Sequence, residues 1–227
     1  MFKTLQTKPI LGTGIYTIPD MSAILGISYP KVLRWINSFW NDKFGKEYGN
    51  KYSWNIDLTK AVNFYTMIEL YTFYQLNLSG VYTGEIIKAH EILSKQFKTP
   101  YPFATKFILD NIKSDGKKVL FEQNDGSIYT VDVTKQFNLS FIKEFYKNLD
   151  FDGNALAKRF WPLGKDRSIV CDPHHKFGQP VIAGTNIQAE VLAEMCKAGD
   201  SIKFIARTYE LSINQVKDAI EYAKKAA

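Results

Sequence analysis

"GISYPKVLRWINSFW", Gly26–Trp40, is the stretch on which the reading of the chain turns. A glycine and a serine suited to cap a helix precede Pro30, a residue tolerated in a first helical turn. Val32, Leu33, Ile36 and Phe39/Trp40 then recur at helical spacing as one apolar stripe. Just upstream, "YTIPDMSAILGI" reads as a second short helix. Asp20 lies near its start, Ile18, Met21 and Ile24/Leu25 share a face, and Gly26 ends it. Two helices separated by about three residues form a helix-turn-helix.

With the stripe turned inward, Tyr29, Lys31 and Arg34 point outward near the start of the second helix, where a DNA-reading helix carries its polar and basic groups. Ser28 and the unpaired amides of the helix start suit a phosphate, and Arg34 suits a phosphate or a guanine edge. "NDKFGKEYGNKYSWNI", Asn41–Ile56, mixes Gly, Asn and Lys with aromatics and reads as a β-hairpin wing. Its Lys43, Lys46 and Lys51 would neutralise further phosphates. The competing reading is a set of solvated charges on a helix pair that only packs.

Beyond the wing, Asp57 or Thr59 is expected to open a long helix, aromatic nearly all round. Another helix is expected from Thr83 or Gly84 to about Lys95, with Ile86, Ile87, His90 and Leu93 inward. Residues 97–165 read as a β-containing middle region. Two alternating runs flank Asn124-Asp125-Gly126, a hairpin signal. A short helix from Ser140 to Leu149 and a second hairpin turning at Asp152-Gly153 follow. Residues 166–227 read as a short strand, a Gly/Pro-rich loop holding a second strand, and three helices. Those helices run from Gln188 to Ala198 with Val191/Leu192 inward, from a cap at Asp200, and from Ser212, where Gln215 completes a capping box. The last two form another helix-turn-helix, offering Asn214, Gln215, Lys217 and Asp218. The fold class is thus mainly α with small β elements (α+β): two helix-turn-helix modules, residues 1–96 and 166–227, joined by a hairpin-containing middle region.

Charge separates these regions. Residues 1–95 carry ten Lys/Arg against seven Asp/Glu, residues 96–165 eleven against eight, and residues 166–227 eight against eight. The basic excess, part of a net +6, lies in the first two thirds and favours a polyanionic partner there. The two cysteines, Cys171 and Cys196, have neither zinc nor redox spacing and are expected as free thiols in a reducing cytoplasm. No leader and no membrane-spanning apolar run is evident. His174-His175 beside Cys171 and Asp172 reads as a surface pair, because adjacent side chains on extended backbone diverge. The loop Gly178–Thr185 lacks the Lys-Ser/Thr of a nucleotide cradle. The aromatics Phe64, Tyr65, Tyr71, Phe73 and Tyr74 read as core or dimer interface. Spacing suggests no nucleophilic triad and no paired carboxylates, so neither an enzyme nor a cofactor or metal is expected.

"YTIPDMSAILGISYPKVLRW", with its wing and following helices, resembles the MerR-like winged helix-turn-helix. Residues 166–227 resemble the domain of unknown function 433 family through Asp172-Pro173, the run Gly178-Gln179-Pro180-Val181-Ile182-Ala183-Gly184-Thr185-Asn186-Ile187, and Gly199-Asp200-Ser201. Asn186 departs from that family, which commonly places Arg there. The two-part layout, with "YPFAT" (Tyr101–Thr105) and "FWPLG" (Phe160–Gly164) between, resembles long VapB-type antitoxins. That resemblance implies a PIN-like ribonuclease toxin as partner, operator DNA bound for autorepression, and a homodimer or a larger assembly with the toxin. Toxin contact is expected at the C-terminal loop, through Phe177, Gln179, Pro180 and Asn186. The alternative is a protein–protein adaptor, or a regulator without a toxin.

Overall fold

Thr17 opens the first helix. Its hydroxyl accepts from the Asp20 amide at 3.3 Å, and the Asp20 carboxylate accepts from the Thr17 amide at 2.8 Å, a reciprocal cap on two orphan donors. Helix α1, Ile18–Leu25, follows and ends at Gly26 in the left-handed region, φ 65°. Strand β1, Tyr16–Thr17, precedes it. The computed structural model describes residues 12–114, 119–122, 128–130, 146–153 and 155–226.

Helix α2 spans Tyr29–Trp35 and does not stop where a wing was expected. It continues through a π-helical stretch, Ile36–Gly45, and a last turn, Lys46–Tyr48. Ile36, Trp40 and Phe44, four residues apart, are all fully buried, so the apolar stripe carries the helix past the Gly- and Asn-rich composition. The hairpin comes later: β2, Ser53–Ile56, pairs antiparallel with β3, Thr59–Val62, and β3 also pairs with β1. This three-stranded sheet, in the order β1-β3-β2, closes the helix pair between its strands.

The long helix starts later than expected because Asn63, rather than Asp57 or Thr59, caps it through the Thr66 amide at 2.9 Å. Helix α3, Phe64–Leu78, is buried on almost every face, which is why its aromatics show no polar side. Phe73 meets Trp35 and Trp40 edge-on, with ring centroids 4.9 and 5.4 Å apart. Helix α4, Thr83–Phe97, buries Ile86, Ile87, His90 and Leu93 against it, as their spacing implied.

The middle region packs on the same core. Phe103 and Ala104, in the 3-10 turn Pro102–Ala104, are fully buried, and the Phe103 carbonyl accepts from the Thr72 hydroxyl at 2.9 Å. Helix α5, Lys106–Asn111, and strand β4, Ile112–Ser114, were not legible in the sequence. Strands β5, Val119–Glu122, and β6, Ile128–Thr130, pair antiparallel as the hairpin reading requires, while its Asn124-Asp125-Gly126 turn lies outside the described residues. Most of the helix expected from Ser140 also lies outside them, and Leu149 belongs to a strand instead. That strand, β7, Leu149–Phe151, pairs with β8, Ala157–Phe160, with Gly153 at positive φ in the connection.

At the C-terminal end, β9, Ile169–Val170, pairs with β10, Val181–Ile182. Three helices follow: α6, Ala189–Lys197; α7, Ile202–Thr208; and α8, Ile213–Ala226. Ser201, not Asp200, caps α7, accepting from the Phe204 amide at 3.2 Å. Ser212 and Gln215 form the anticipated capping box, with bonds of 3.2 and 2.8 Å. Leu192 is buried, but its neighbour Val191 is 40% exposed and not part of the inward face. The protein is therefore mainly α with small antiparallel sheets. Cys171 is buried and Cys196 half-buried, and both are free. No helix among the described residues is long and apolar enough to cross a membrane.

Candidate functional site

The turn between α1 and α2 is built from backbone geometry. Gly26 in the left-handed region lets the Ile27 amide bond back to the Ser22 carbonyl at 3.2 Å, and Ile27 inserts into the core. Ser28, Tyr29 and Arg34 are left exposed on the far side. The Ser28 hydroxyl caps nothing, although its carbonyl accepts from the Lys31 and Val32 amides at 3.0 and 3.1 Å. Pro30 has no N–H and Lys31 has spent its own, so the amide cradle expected for a phosphate is thin.

Lys31 does not point freely to solvent. Its Nζ lies 4.8 Å from the ring centroids of both Trp35 and Tyr74, a cation held between two π faces. Such contacts contribute roughly 0.5–1 kcal/mol each at partly exposed sites. Trp35 stands four residues after Lys31 in "YPKVLRW" itself, a spacing that lets the two meet on one helix face, whereas Tyr74 is on α3, far away in sequence. Arg34 is exposed and has no ion-pair partner among the described residues.

The three wing lysines are redistributed. Lys43 and Lys46 sit on the helical continuation of α2, at the end opposite Tyr29. Lys43 pairs with Glu91 of α4 at 2.9 Å, and Lys46 with Asp42 at 3.4 Å. Lys51 is exposed in the turn before β2. The real hairpin contributes Lys60, whose ammonium donates to the Asn37 side chain, and Leu58, fully exposed at the tip. Both were missed because the hairpin was placed one element too early.

The loop expected to meet a partner divides in two. Lys176, Phe177 and Gly178 have consecutive positive φ of 47°, 56° and 87°. Non-glycine residues in that region carry strain of order 1–3 kcal/mol. The turn is held because the Phe177 carbonyl accepts from the Ile15 amide at 2.8 Å, and it leaves the Phe177 ring 64% exposed. Asn186 is also exposed. Pro180 is buried, and Gln179 reaches the Ile15 carbonyl and Asp20 Oδ2, both at 3.3 Å. Gln179, half-buried, thereby joins the C-terminal module to the N-terminal one. His174 and His175 are exposed, and no group of three metal-ligating side chains occurs among the described residues.

Two of the four polar residues offered on α8 are spent, while Asn214 and Lys217 are exposed. Gln215 closes its cap. Asp218, 4% exposed, accepts from Arg167 at 2.9 Å and from the Ser168 amide at 2.8 Å. Exposed apolar side chains mark this module instead: Val191, Phe204 and Ile213, at 40%, 53% and 43%.

One buried polar pair lies away from both surfaces. His90 Nε2 is 2.6 Å from Glu69 Oε2, both side chains are fully buried, and Glu69 Oε1 accepts from the Phe103 amide at 2.6 Å. Burial pushes the Glu69 carboxyl above its ordinary value, against the pull of His90 and the backbone amides. The His90 ring stacks on Phe44 with centroids 3.9 Å apart. The pair pins α3, α4 and the turn at Phe103 together.

Residues 169–223 match the family described as protein of unknown function (DUF433). A 57-residue stretch is 37% identical to the uncharacterized protein Rv2308 of Mycobacterium tuberculosis, covering 25% of this chain and 24% of that protein. The chain thus matches about a quarter of this curated relative's length. The crystal structure of Rv2018 from Mycobacterium tuberculosis is similar over 95% of this chain and 100% of its own, with a TM-score of 0.67. At 17% identity that likeness is one of fold. The C-terminal resemblance read from Asp172-Pro173 and the Gly178–Ile187 run is the part these matches carry.

Proposed function

We propose that the protein is a DNA-binding antitoxin: it represses its own operon through the α1–α2 unit and neutralises a PIN-like ribonuclease by direct contact. The observation that carries the DNA half is the strand–helix–helix–hairpin unit. β1 is paired to β3, and Ser28, Tyr29 and Arg34 are exposed on the helix that follows a three-residue turn. A helix backed by such a sheet is rigid enough to enter a major groove, and the adjacent hairpin, with Leu58 at its tip, can reach the flanking groove. The partner half is supported by the strained turn that exposes Phe177 and by the exposed apolar residues of the neutral C-terminal module. Backbone strain of this kind concentrates at binding surfaces.

A second reading, an adaptor that binds proteins only, is favoured by one observation. Lys31, Lys43 and Lys46 each have a partner within the chain, which leaves Arg34 and Lys51 as the cations of the expected set with neither an ion pair nor a ring contact among the described residues. A gel shift with the DNA upstream of the protein's own gene separates the two. Salt-sensitive binding that is lost in Arg34→Ala supports the antitoxin reading. Absence of binding at low salt, with the protein folded, rejects its DNA half. Inhibition of a ribonuclease encoded beside this gene, relieved by Phe177→Ala, tests the other half.

A further inference from the structure

The middle region holds a cleft of about 500 Å³, lined by Asp150 and Phe151 of β7, Arg159 of β8, Lys106 of α5, Tyr146 and Lys165. That volume is within the range of small-ligand sites, about 300–1,000 Å³. Asp150 and Arg159 stand opposite each other in the β7–β8 register, which puts their side chains on one face. Lys106 is paired to Asp110 at 2.7 Å. Asp150 is the one carboxylate on the lining, and it serves three donors. Its Oδ2 accepts from Trp161 Nε1 at 2.9 Å and lies 3.2 Å from Arg159 Nε, while Oδ1 lies 2.6 Å from Lys165 Nζ. A single negative charge is thus divided between two cations, and the cleft stays positive at this point.

Arg159 supplies a second observation. Its Nε is buried against Asp150, which fixes the plane of the guanidinium. Its two terminal nitrogens make no hydrogen bond or ion pair among the described residues, and the side chain is 41% exposed. A guanidinium held at Nε with its outer edge open is a fork of parallel donors, the geometry that takes a phosphate by two bonds. Lys165, 44% exposed, directs an ammonium to the same carboxylate, beside that fork. The aromatic part of the lining is the half-buried pair Tyr146 and Phe151, stacked with ring centroids 5.1 Å apart and planes 24° from parallel.

We propose that this cleft binds the phosphate of a nucleotide unit, held by the outer edge of Arg159 and by Lys165, with the base against Tyr146 and Phe151. Asp150 acts as a positioning residue, because it orients the guanidinium without meeting the ligand. A free mononucleotide and a nucleotide in a single strand present the same group to this site. None of these residues belongs to the α1–α2 unit, so the proposal stands whether or not that unit reads DNA.

Calorimetric titration of the full chain at low ionic strength with thymidine monophosphate and with a short single-stranded oligothymidylate tests this. Thymidine and glutarate are the controls, one without the phosphate and the other an anion without a base. Saturable binding of the monophosphate assigns the cleft to free nucleotides, and saturable binding of the oligonucleotide alone assigns it to single strands. Arg159→Lys keeps the charge and loses the fork, and should weaken binding about tenfold. Lys165→Gln should weaken it several-fold. Lys165 is exposed, so this variant should keep the parent's melting temperature, and its weaker binding is then no loss of fold. Arg34→Ala should leave monophosphate binding unchanged, which separates this site from the proposed operator contact. No binding of either probe up to about 10 mM overturns the proposal. So does binding unchanged in both Arg159→Lys and Lys165→Gln, or binding of thymidine or glutarate as tight as that of the monophosphate.

Discussion

The chain contains two tight helix pairs of nearly the same local grammar, and they spend their polar residues differently. In the first, α1 to α2, the turn is a left-handed glycine, and the second helix leaves Tyr29 and Arg34 exposed. In the second, α7 to α8, Glu210 takes the positive φ of 54°, and α8 commits Gln215 to its cap and Asp218 to a buried network. The first pair is also backed by a hairpin that returns to β1, while the second packs on α6. A helix-turn-helix outline therefore does not decide what a pair reads. What decides it is whether the side chains at the start of its second helix are left unspent.

The largest effect should come where the two units meet. Gly178 has φ 87°, and a Cβ there would lie 2.0 Å from the hydroxyl of the fully buried Tyr16. Gly178→Ala combines backbone strain with overpacking and should cost more than about 3 kcal/mol. A chemical denaturation midpoint near the parent's would show that the junction yields easily and that the units are independent. Gly26→Ala sharpens the contrast, because Gly26 has a similar backbone but a Cβ added there would meet nothing within 4 Å. Strain alone then applies, about 1 kcal/mol.

Next is Asp218→Ala. It leaves the Ser168 amide without its acceptor and removes a carboxylate that is 4% exposed. A loss of roughly 2–3 kcal/mol is expected, read as a lower denaturation midpoint. If α8 were a reading helix with a solvated Asp218, the same change would be silent in stability and would alter DNA affinity.

A third prediction concerns pH. Burial raises Tyr16, Tyr222 and Cys171, all at the junction, and Tyr71 to about 12 on α3. Raised values in the folded state mean that the unfolded chain loses these protons first. The stabilising contribution is whole below the unfolded values, 9.0 for the thiol and 10.0 for the phenols, and is lost as pH rises from there through the raised folded values. The melting temperature should be flat near neutrality and fall above about pH 9. Since three of the four groups lie at the junction, amide exchange should accelerate there before it does in α3. Uniform acceleration would mean that the junction holds no special share.

Much of this was legible and the rest was not, for physical reasons. Caps are local, so Ser212–Gln215 could be read within four residues, and Asp20 marked the start of α1 although its reciprocal bond with Thr17 went unread. Gly26 was legible for the same reason. The hairpin was misplaced because composition was weighed above periodicity: Gly45, Gly49 and the asparagines suggested a turn, while Ile36, Trp40 and Phe44 kept the helical spacing. Asn63 was overlooked as a cap because Asp57 and Thr59 offered themselves earlier. Lys31 and Asp218 read as outward polar residues because the partners that engage them, Tyr74 for one beside its neighbour Trp35 and Arg167 for the other, are distant in sequence and met only through the fold.

The smallest effect on stability belongs to the residue on which the comparison finally rests. Arg34 is exposed, lies in the second turn of the helix that begins at Tyr29 and runs on past Trp35, and makes no ion pair among the described residues. Arg34→Ala should change stability by less than about 0.5 kcal/mol, as surface substitutions do. On upstream DNA the same change should weaken binding at least several-fold. If Arg34 meets a phosphate, it should also lower the slope of log K against log salt by about one per protomer. If it meets a guanine edge, the slope stays and discrimination at one base pair falls by roughly 1–3 kcal/mol. Lys217→Ala on α8 is the matched control, an exposed cation near the start of the second helix of the other pair. Equal losses from the two substitutions would show that both pairs meet DNA and that the division drawn from Asp218 and Gln215 does not govern binding.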